Sequence, residues 1–371
     1  MIDLFMPFRS FLKFENVCTD NNIFRMHYKL TVIVLLVFTL LVTSKQFFGE
    51  PIHCMGDNKD IDKDAINSYC WIYGTYTLKS KLVGVEGKNM AYLGVGPSNI
   101  IDEPIKHTYY QWVCFVLLGQ AAMFYAPRYL WKMWEGGRLK ALASDLGFKC
   151  GYKFINWTEY RRGELISYLS YTNLYTHNMY ALRYAFCEIL NLLNVVGQIF
   201  LLDLFLGGAF RNYGAAVAAF THIPKVPSNF KDFSSINPMD QFFPKLTKCW
   251  FRSYGPSGTL QLKDRLCVLP LNIVNEKIFV ILWFWLIFLT LLSAAAVLFR
   301  ILVFTLPALR TSMIMGQLRY VKRRVVAKIV KNFGFGDWFI LYLLGKNMNP
   351  IIYKDLILEL SKEVGNKPVT V

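Results

Sequence analysis

The sequence predicts an all-α polytopic membrane protein: four transmembrane helices, disulfide-linked extracellular loops containing some strand, and a helical cytoplasmic domain. Three observations carry that reading. Of the 371 residues, 54% are hydrophobic and only 18% charged, and mean hydropathy is +0.31. Soluble domains rarely combine these values. Four apolar runs approach or exceed the length needed to cross a hydrocarbon core of roughly 30 Å at about 1.5 Å per residue. The segments between the runs also differ in kind. Two carry paired cysteines, while residues 128–179 and the segment after the fourth run carry an excess of Lys and Arg without such pairs. The net charge of +16 would suit a nucleic-acid partner, but no aromatic-interleaved basic motif accompanies it. Basic cytoplasmic flanks explain it better.

Residues 1–27 form a short N-terminal segment in which Leu4, Phe5, Phe8, Phe11 and Leu12 fall near one helical face, interrupted at Pro7. It reads as an amphipathic stretch on the inner membrane surface, or as a segment folded back into a pore. Charges at Asp3, Arg9, Lys13, Glu15, Asp20 and Arg25 precede any long apolar run, so the first membrane helix is expected to act as the insertion signal.

That helix is expected over residues 28–45, with Lys29 and Lys45 snorkelling at its ends. Tyr28, Thr31, Thr39 and Thr43 fall within about a third of its circumference. Either each hydroxyl bonds its own backbone one turn back, or the stripe faces water. Residues 46–108 form the first outer loop, where 71–82 suits extended structure and glycines then mark turns.

The second helix, residues 109–127, contains no Lys, Arg, Asp or Glu. Tyr109, Tyr110 and Trp112 at its start, and Tyr125 near its end, look like interfacial aromatics. Residues 128–179 carry eight basic residues against four acids and are placed inside. The third helix, residues 180–206, is the most polar. Glu188, Asn191, Asn194 and Gln198 lie within about 120° on a helical wheel. Such a face points to a bundle interior or to water, with interhelical hydrogen bonding as the plainer alternative.

Residues 207–277 form the second outer loop. Its nine basic residues oppose the positive-inside bias, although long loops translocate largely regardless of charge. The fourth helix spans residues 278–306, with Arg300 able to reach the inner headgroups. The cytoplasmic C-terminal domain, residues 307–371, holds eleven basic residues. It reads first as a solvated basic domain and second as a binder of anionic lipid. Within it, residues 351–364 show helical periodicity.

The cysteines follow this topology. Cys54, Cys70, Cys249 and Cys267 fall in the two outer loops, two in each, where thiols oxidise. Cys18 and Cys150 are placed inside, and Cys114 and Cys187 in membrane helices. Four outer cysteines give two disulfides in one of three pairings. A zinc site is disfavoured because close Cys-x-x-Cys spacing is missing.

Four stretches together resemble the innexins. Tyr109-Tyr110-Gln111-Trp112-Val113 is similar to the family signature. Cys70-Trp71-Ile72-Tyr73-Gly74-Thr75-Tyr76-Thr77 resembles the first-loop motif. Cys187-Glu188-Ile189-Leu190-Asn191 resembles the start of the third helix, and the stretch from Cys267 to Lys277 resembles the approach to the fourth. The resemblance implies a gap-junction channel subunit in the plasma membrane with both termini cytoplasmic. Such subunits assemble as a ring of eight around a pore, and the ring docks to a second ring on the adjacent cell. Ions and small metabolites pass through. Other innexins and membrane lipids are the further partners expected; no nucleic acid and no cofactor is. The resemblance also implies the pairings Cys54–Cys267 and Cys70–Cys249. It places Met1, Ile2, Asp3, Leu4 and Phe5 in a pore funnel, beside Tyr28, Thr31 and Thr39.

Two other readings compete. One is a non-junctional hemichannel that releases metabolites, and the other is a pore-less four-helix adhesion or scaffold protein. An enzyme is not expected, because the five histidines form no metal-ligand spacing and no nucleophile motif or phosphate loop is present. Neither outer loop contains a glycosylation sequon. The one Asn-x-Thr, Asn156-Trp157-Thr158, falls in the segment placed inside. Outer loops without glycans leave a docking surface clear.

Overall fold

A computed structural model describes residues 17–55, 62–82, 92–97, 102–143, 158–169, 174–222, 237–318 and 321–366. The expected pore funnel, Met1 to Phe14, and Cys150 lie outside the described residues.

Among the described residues, four helices have the length and apolar composition to cross a membrane: α1 (Asn22–Phe47), α3 (Val113–Glu135), α6 (Leu174–Phe205) and α9 (Pro270–Thr305). Their bounds depart from the sequence expectation for local reasons. α1 starts earlier because Asn21 caps it, its side chain accepting from the Phe24 amide at 2.6 Å. Met26–Thr31 within it is π-helical. α3 starts at Val113, after a 3₁₀ turn over Tyr109–Gln111. It then runs through Pro127, which removes only one N–H from the ladder. α9 begins at Pro270, whose fixed φ and missing N–H suit a first helical turn.

The chain divides into two compact units. One comprises Val32–Ala122 and Val195–Phe288 and is called the loop unit here. The other comprises Met1–Thr31, Met123–Asn194 and Leu289–Val371 and is called the tail unit.

The loop unit contains a five-stranded antiparallel sheet of β1 (His53–Cys54), β2 (Thr75–Leu78), β3 (Pro104–His107), β4 (Leu246–Tyr254) and β5 (Leu260–Val268), ordered β1-β5-β4-β2-β3. The first loop supplies three strands and the second supplies two, and the sheet interleaves them. Residues 71–82 are only partly extended. Trp71–Tyr73 completes the helix α2 (Lys63–Tyr73), which Asp62 caps by accepting from the Asp64 amide. Gly74, at φ +85°, ends it, a conformation that a Cβ would strain. β4 and β5 make a hairpin in register from Leu246↔Val268 to Tyr254↔Leu260. Gly258, at φ +78°, turns it. Gly214, on α7 (Phe210–His222), lets the Trp283 ring of α9 lie directly against its backbone.

In the tail unit, α4 (Arg138–Ala143), α5 (Glu159–Ser167), α10 (Pro307–Met315), α11 (Arg323–Asn332), α12 (Phe335–Asn347) and α13 (Pro350–Asn366) pack with the adjoining ends of the long helices. The C-terminal domain is therefore more than a solvated basic surface. α12 is apolar on all sides, and Trp338, Phe339, Leu341 and Leu344 are fully buried. Its first turn is anchored by Asp337, which accepts from the Gly334 amide at 3.1 Å and meets His177 Nδ1 at 2.6 Å. The Trp131, Tyr184 and Phe339 rings stack into this core, with centroids 4.9 and 5.1 Å apart.

Candidate functional site

Two constellations collect the residues singled out from the sequence, one in each unit.

In the loop unit, the disulfides Cys54–Cys267 and Cys70–Cys249 each join the first loop to the second. Cys54 and Cys267 are register partners on β1 and β5, and the second bridge ties α2 to β4. The sulfurs of Cys54, Cys70 and Cys267 lie within 4.8 Å of one another. As disulfides they offer no thiolate to a metal.

The Tyr109–Val113 stretch braces this region. Tyr110 is fully buried and packs on Trp71 with centroids 4.7 Å apart. Gln111 donates its side-chain amide to the carbonyl oxygens of Trp71 and Ile72, acceptors that the end of α2 leaves open. Tyr109 donates to the carbonyl of Phe242, at the end of α8 (Pro238–Phe242), at 3.4 Å and meets the Phe243 ring edge-on. These two tyrosines are therefore not interfacial aromatics. Their hydroxyl ends face protein, and burial pushes the Tyr110 phenol up to about 12. Trp112 alone, 60% exposed, keeps a position open to lipid, and Val113 is buried.

His107 at the end of β3 reads from the sequence as an outer-loop histidine, a bystander first and a pH sensor second. Its ring shares a 2.9 Å hydrogen bond with Thr77 Oγ1 and is almost wholly buried, which holds its pKa down at about 4. Lys248 on β4 is also buried. It pairs with Asp264, which accepts from the Tyr76 hydroxyl at 3.0 Å.

In the tail unit, the polar face of α6 is turned inward. Glu188 receives Arg300 of α9 in a bidentate pair, Nε to one oxygen at 2.7 Å and a terminal nitrogen to the other at 2.9 Å. Asn21 donates to the same carboxylate at 2.7 Å, and its amide N–H donates to the Tyr184 hydroxyl at 3.0 Å. The Arg300 guanidinium also lies over the Tyr184 and Phe339 rings at 5.1 and 5.2 Å. Arg300 therefore does not reach for headgroups. A carboxylate and two aromatic faces hold it inside, where an unpaired charge would be costly.

Arg128, expected as a flanking charge, is internal for the same reason. It pairs with Asp20 at 3.4 Å, donates to Thr19 at 3.2 Å, and covers the Tyr28 ring at 4.9 Å. Asp20 also holds Arg25 at 3.2 Å. The residues leading into α1 are thus tied to α3 and α6, and through Glu188 to Arg300 of α9. Asn347 at the end of α12 adds a tie by donating to the Cys18 carbonyl at 2.9 Å.

One turn into α1, His27 meets Ser293 Oγ at 2.7 Å. Asn21, His27, Glu188, Asn191 and Ser293 line a cavity of about 10 Å³, near the room one water needs. Asn191 and Gln198 are buried, and Asn194 is half-buried. Thr31 and Thr39 bond the Met26 and Leu35 carbonyls at 2.9 and 2.8 Å, the self-bonding alternative for that stripe. Tyr28 and Thr43 are half-buried.

The family model described as Innexin matches residues 20–364. Innexin inx2 of Drosophila melanogaster is 47% identical over 367 residues, covering 98% of this chain and 96% of that one. Innexin inx2 of Schistocerca americana is 46% identical over 370 residues and the full length of both. Innexin shaking-B of Drosophila melanogaster is 41% identical, covering 99% of this chain and 96% of that one.

Proposed function

The chain belongs to the innexin family and is a gap-junction channel subunit of the plasma membrane; from that premise we propose how its parts serve the channel. Both termini and residues 128–179 face the cytoplasm, and the disulfide-bearing loops face outward. Eight subunits form a ring around the pore, and the loop units of two rings dock across the intercellular gap. Ions and small metabolites pass without chemical change. Residues Met1 to Phe14 line the pore entrance, and α1 stands beside them.

The observation that carries docking is the outer sheet. Its two disulfides fix both loops in one body, and its β4–β5 hairpin carries Tyr254, Leu260 and Leu262 uncovered. Exposed apolar side chains on a rigid, sequon-free surface suit contact with another protein. The test is conductance between paired cells expressing only this protein. Junctional current is expected. Surface hemichannel current without junctional current, even against cells expressing other innexins, would favour a release channel.

A further inference from the structure

A cleft at the foot of α9 is not used by any of the roles above. It has a volume of about 460 Å³ and is lined by residues of α10 and α11, among them Pro307, Arg310, Thr311, Arg323, Ala327 and Lys331. That size falls in the range of about 300–1,000 Å³ typical of small-ligand sites.

Its chemistry is one-sided, because three lining residues are cations and none is an acid. Arg310 is about nine-tenths buried, and its Nε has no hydrogen-bond partner among the described residues. Its side chain makes one hydrogen bond among the described residues, a long 3.5 Å contact to the Phe304 carbonyl. Burial pulls its pKa down, and no carboxylate raises it back. A buried guanidinium without a counter-charge is costly, so an anion in the cleft would relieve it.

The opposite wall repeats the demand. Arg323, Ala327 and Lys331 recur every four residues along one exposed stripe of α11, with the small Ala327 leaving space between the two cations. Lys322, Arg323 and Arg324 crowd the start of that helix, where the dipole disfavours positive charge, and no acid or side-chain cap is present there. An anion at this point offsets both the dipole and the clustered cations.

Location narrows the source. Arg310 stands five residues beyond the end of α9 at Thr305, so on the topology proposed above the cleft opens at the level of the inner headgroups. We infer that this cleft binds the phosphate groups of an anionic inner-leaflet lipid, gripped between Arg310 on one side and Arg323 and Lys331 on the other. Arginine forks suit phosphate oxygens, and inner leaflets concentrate anionic headgroups beside juxtamembrane basic residues. The inference rests on the inward placement of the tail unit and not on docking.

The test uses purified full-length channel in detergent, titrated with dioctanoyl phosphatidylinositol bisphosphate. Dioctanoyl phosphatidylcholine and soluble inositol trisphosphate are the comparison arms. Saturable binding of the bisphosphate lipid is expected. The exposed pair R323Q/K331Q should weaken it about tenfold or more, while the charge-matched pair K140Q/K354Q changes it by less than about twofold. Both pairs replace side chains outside the core, so misfolding does not confuse the result. Equal losses in both pairs would reduce the effect to diffuse charge and overturn the site, as would the lack of saturable binding. Inositol trisphosphate binding as tightly as the lipid would overturn the lipid source in favour of a soluble phosphate.

Discussion

The loop unit and the tail unit hold themselves together by different means. In the loop unit, two disulfides close chain separations of 213 and 179 residues, and the sheet they pin sets the second loop's β4–β5 hairpin between β1 and β2 of the first loop. In the tail unit the corresponding long-range ties are ionic and aromatic, with Glu188 against Arg300 beside Tyr184 and Phe339, and Asp20 against Arg128 beside Tyr28. Compartment accounts for the contrast. An oxidising exterior permits covalent staples, while a reducing interior leaves a thiol such as Cys18 free. Covalent ties hold the two outer loops in one shape, whereas the carboxylate of Glu188 holds Asn21 and Arg300 by non-covalent contacts alone.

The sharpest way to break this comparison is to remove a covalent tie. Cys249→Ala should abolish junctional conductance, because it strands the Cys70 thiol and forfeits a bridge worth roughly 2–5 kcal/mol. Cys18→Ala, in the tail unit, should leave conductance near normal. Paired-cell recording with surface biotinylation checks both. Intact coupling in Cys249→Ala would mean the sheet holds the loops without help.

Next in size is the ionic tie. Glu188→Gln leaves the Arg300 guanidinium buried against a neutral amide, and loss of one partner from such a pair costs about 3–5 kcal/mol. The full-length protein should melt at a lower temperature by fluorescence in detergent. The double replacement Glu188→Met with Arg300→Leu should recover most of that loss, since two apolar side chains leave no orphaned charge. If the double variant is as unstable as the single one, the pair is less central than its geometry suggests.

How much of this was legible in the sequence follows from the same contrast. The four apolar runs and the division of cysteines were legible because lipid and redox compartment act on composition. Whether a charge near a membrane helix end snorkels or turns inward was not. Arg300 looks like a flanking cation until Glu188, 112 residues away, is seen beside it. Arg128 hides Asp20 in the same way. Tyr109 and Tyr110 carry the aromatic-belt signature, and nothing local says that Trp71 and Phe243 cover them. The largely apolar α12 lies in a tail whose eleven basic residues dominate its composition. The β4–β5 hairpin was missed although the Gly255-Pro256-Ser257-Gly258 turn is a recognisable signal.

The smallest expected effect separates the units by the solution that bathes them. His107 belongs to the loop unit, which faces the exterior on the proposed topology, and burial holds its imidazole neutral with a pKa of about 4. The unfolded chain would take up the proton near the ordinary histidine value of about 6.5. Because the folded-state value is depressed, the stability conferred by neutral His107 is complete above about pH 6.5 and is lost as pH falls toward 4. The slope in that window is roughly 1.4 kcal/mol per pH unit, set by the one proton that the unfolded state binds and the folded state refuses. Between pH 6.5 and 5 the cost is therefore about 2 kcal/mol. His107→Gln keeps a hydrogen-bonding group near Thr77 Oγ1 but cannot titrate, so its stability should lack this component. Measuring the melting of both proteins at each pH and taking the difference cancels every other titrating group. A difference that shrinks by about 2 kcal/mol from pH 6.5 to pH 5 is the expected outcome. A constant difference would mean that the imidazole accepts its proton in place, by a rearrangement of the Thr77 contact, and that β3, at the edge of the sheet beside β2, is softer than the disulfide-bearing strands β1, β4 and β5.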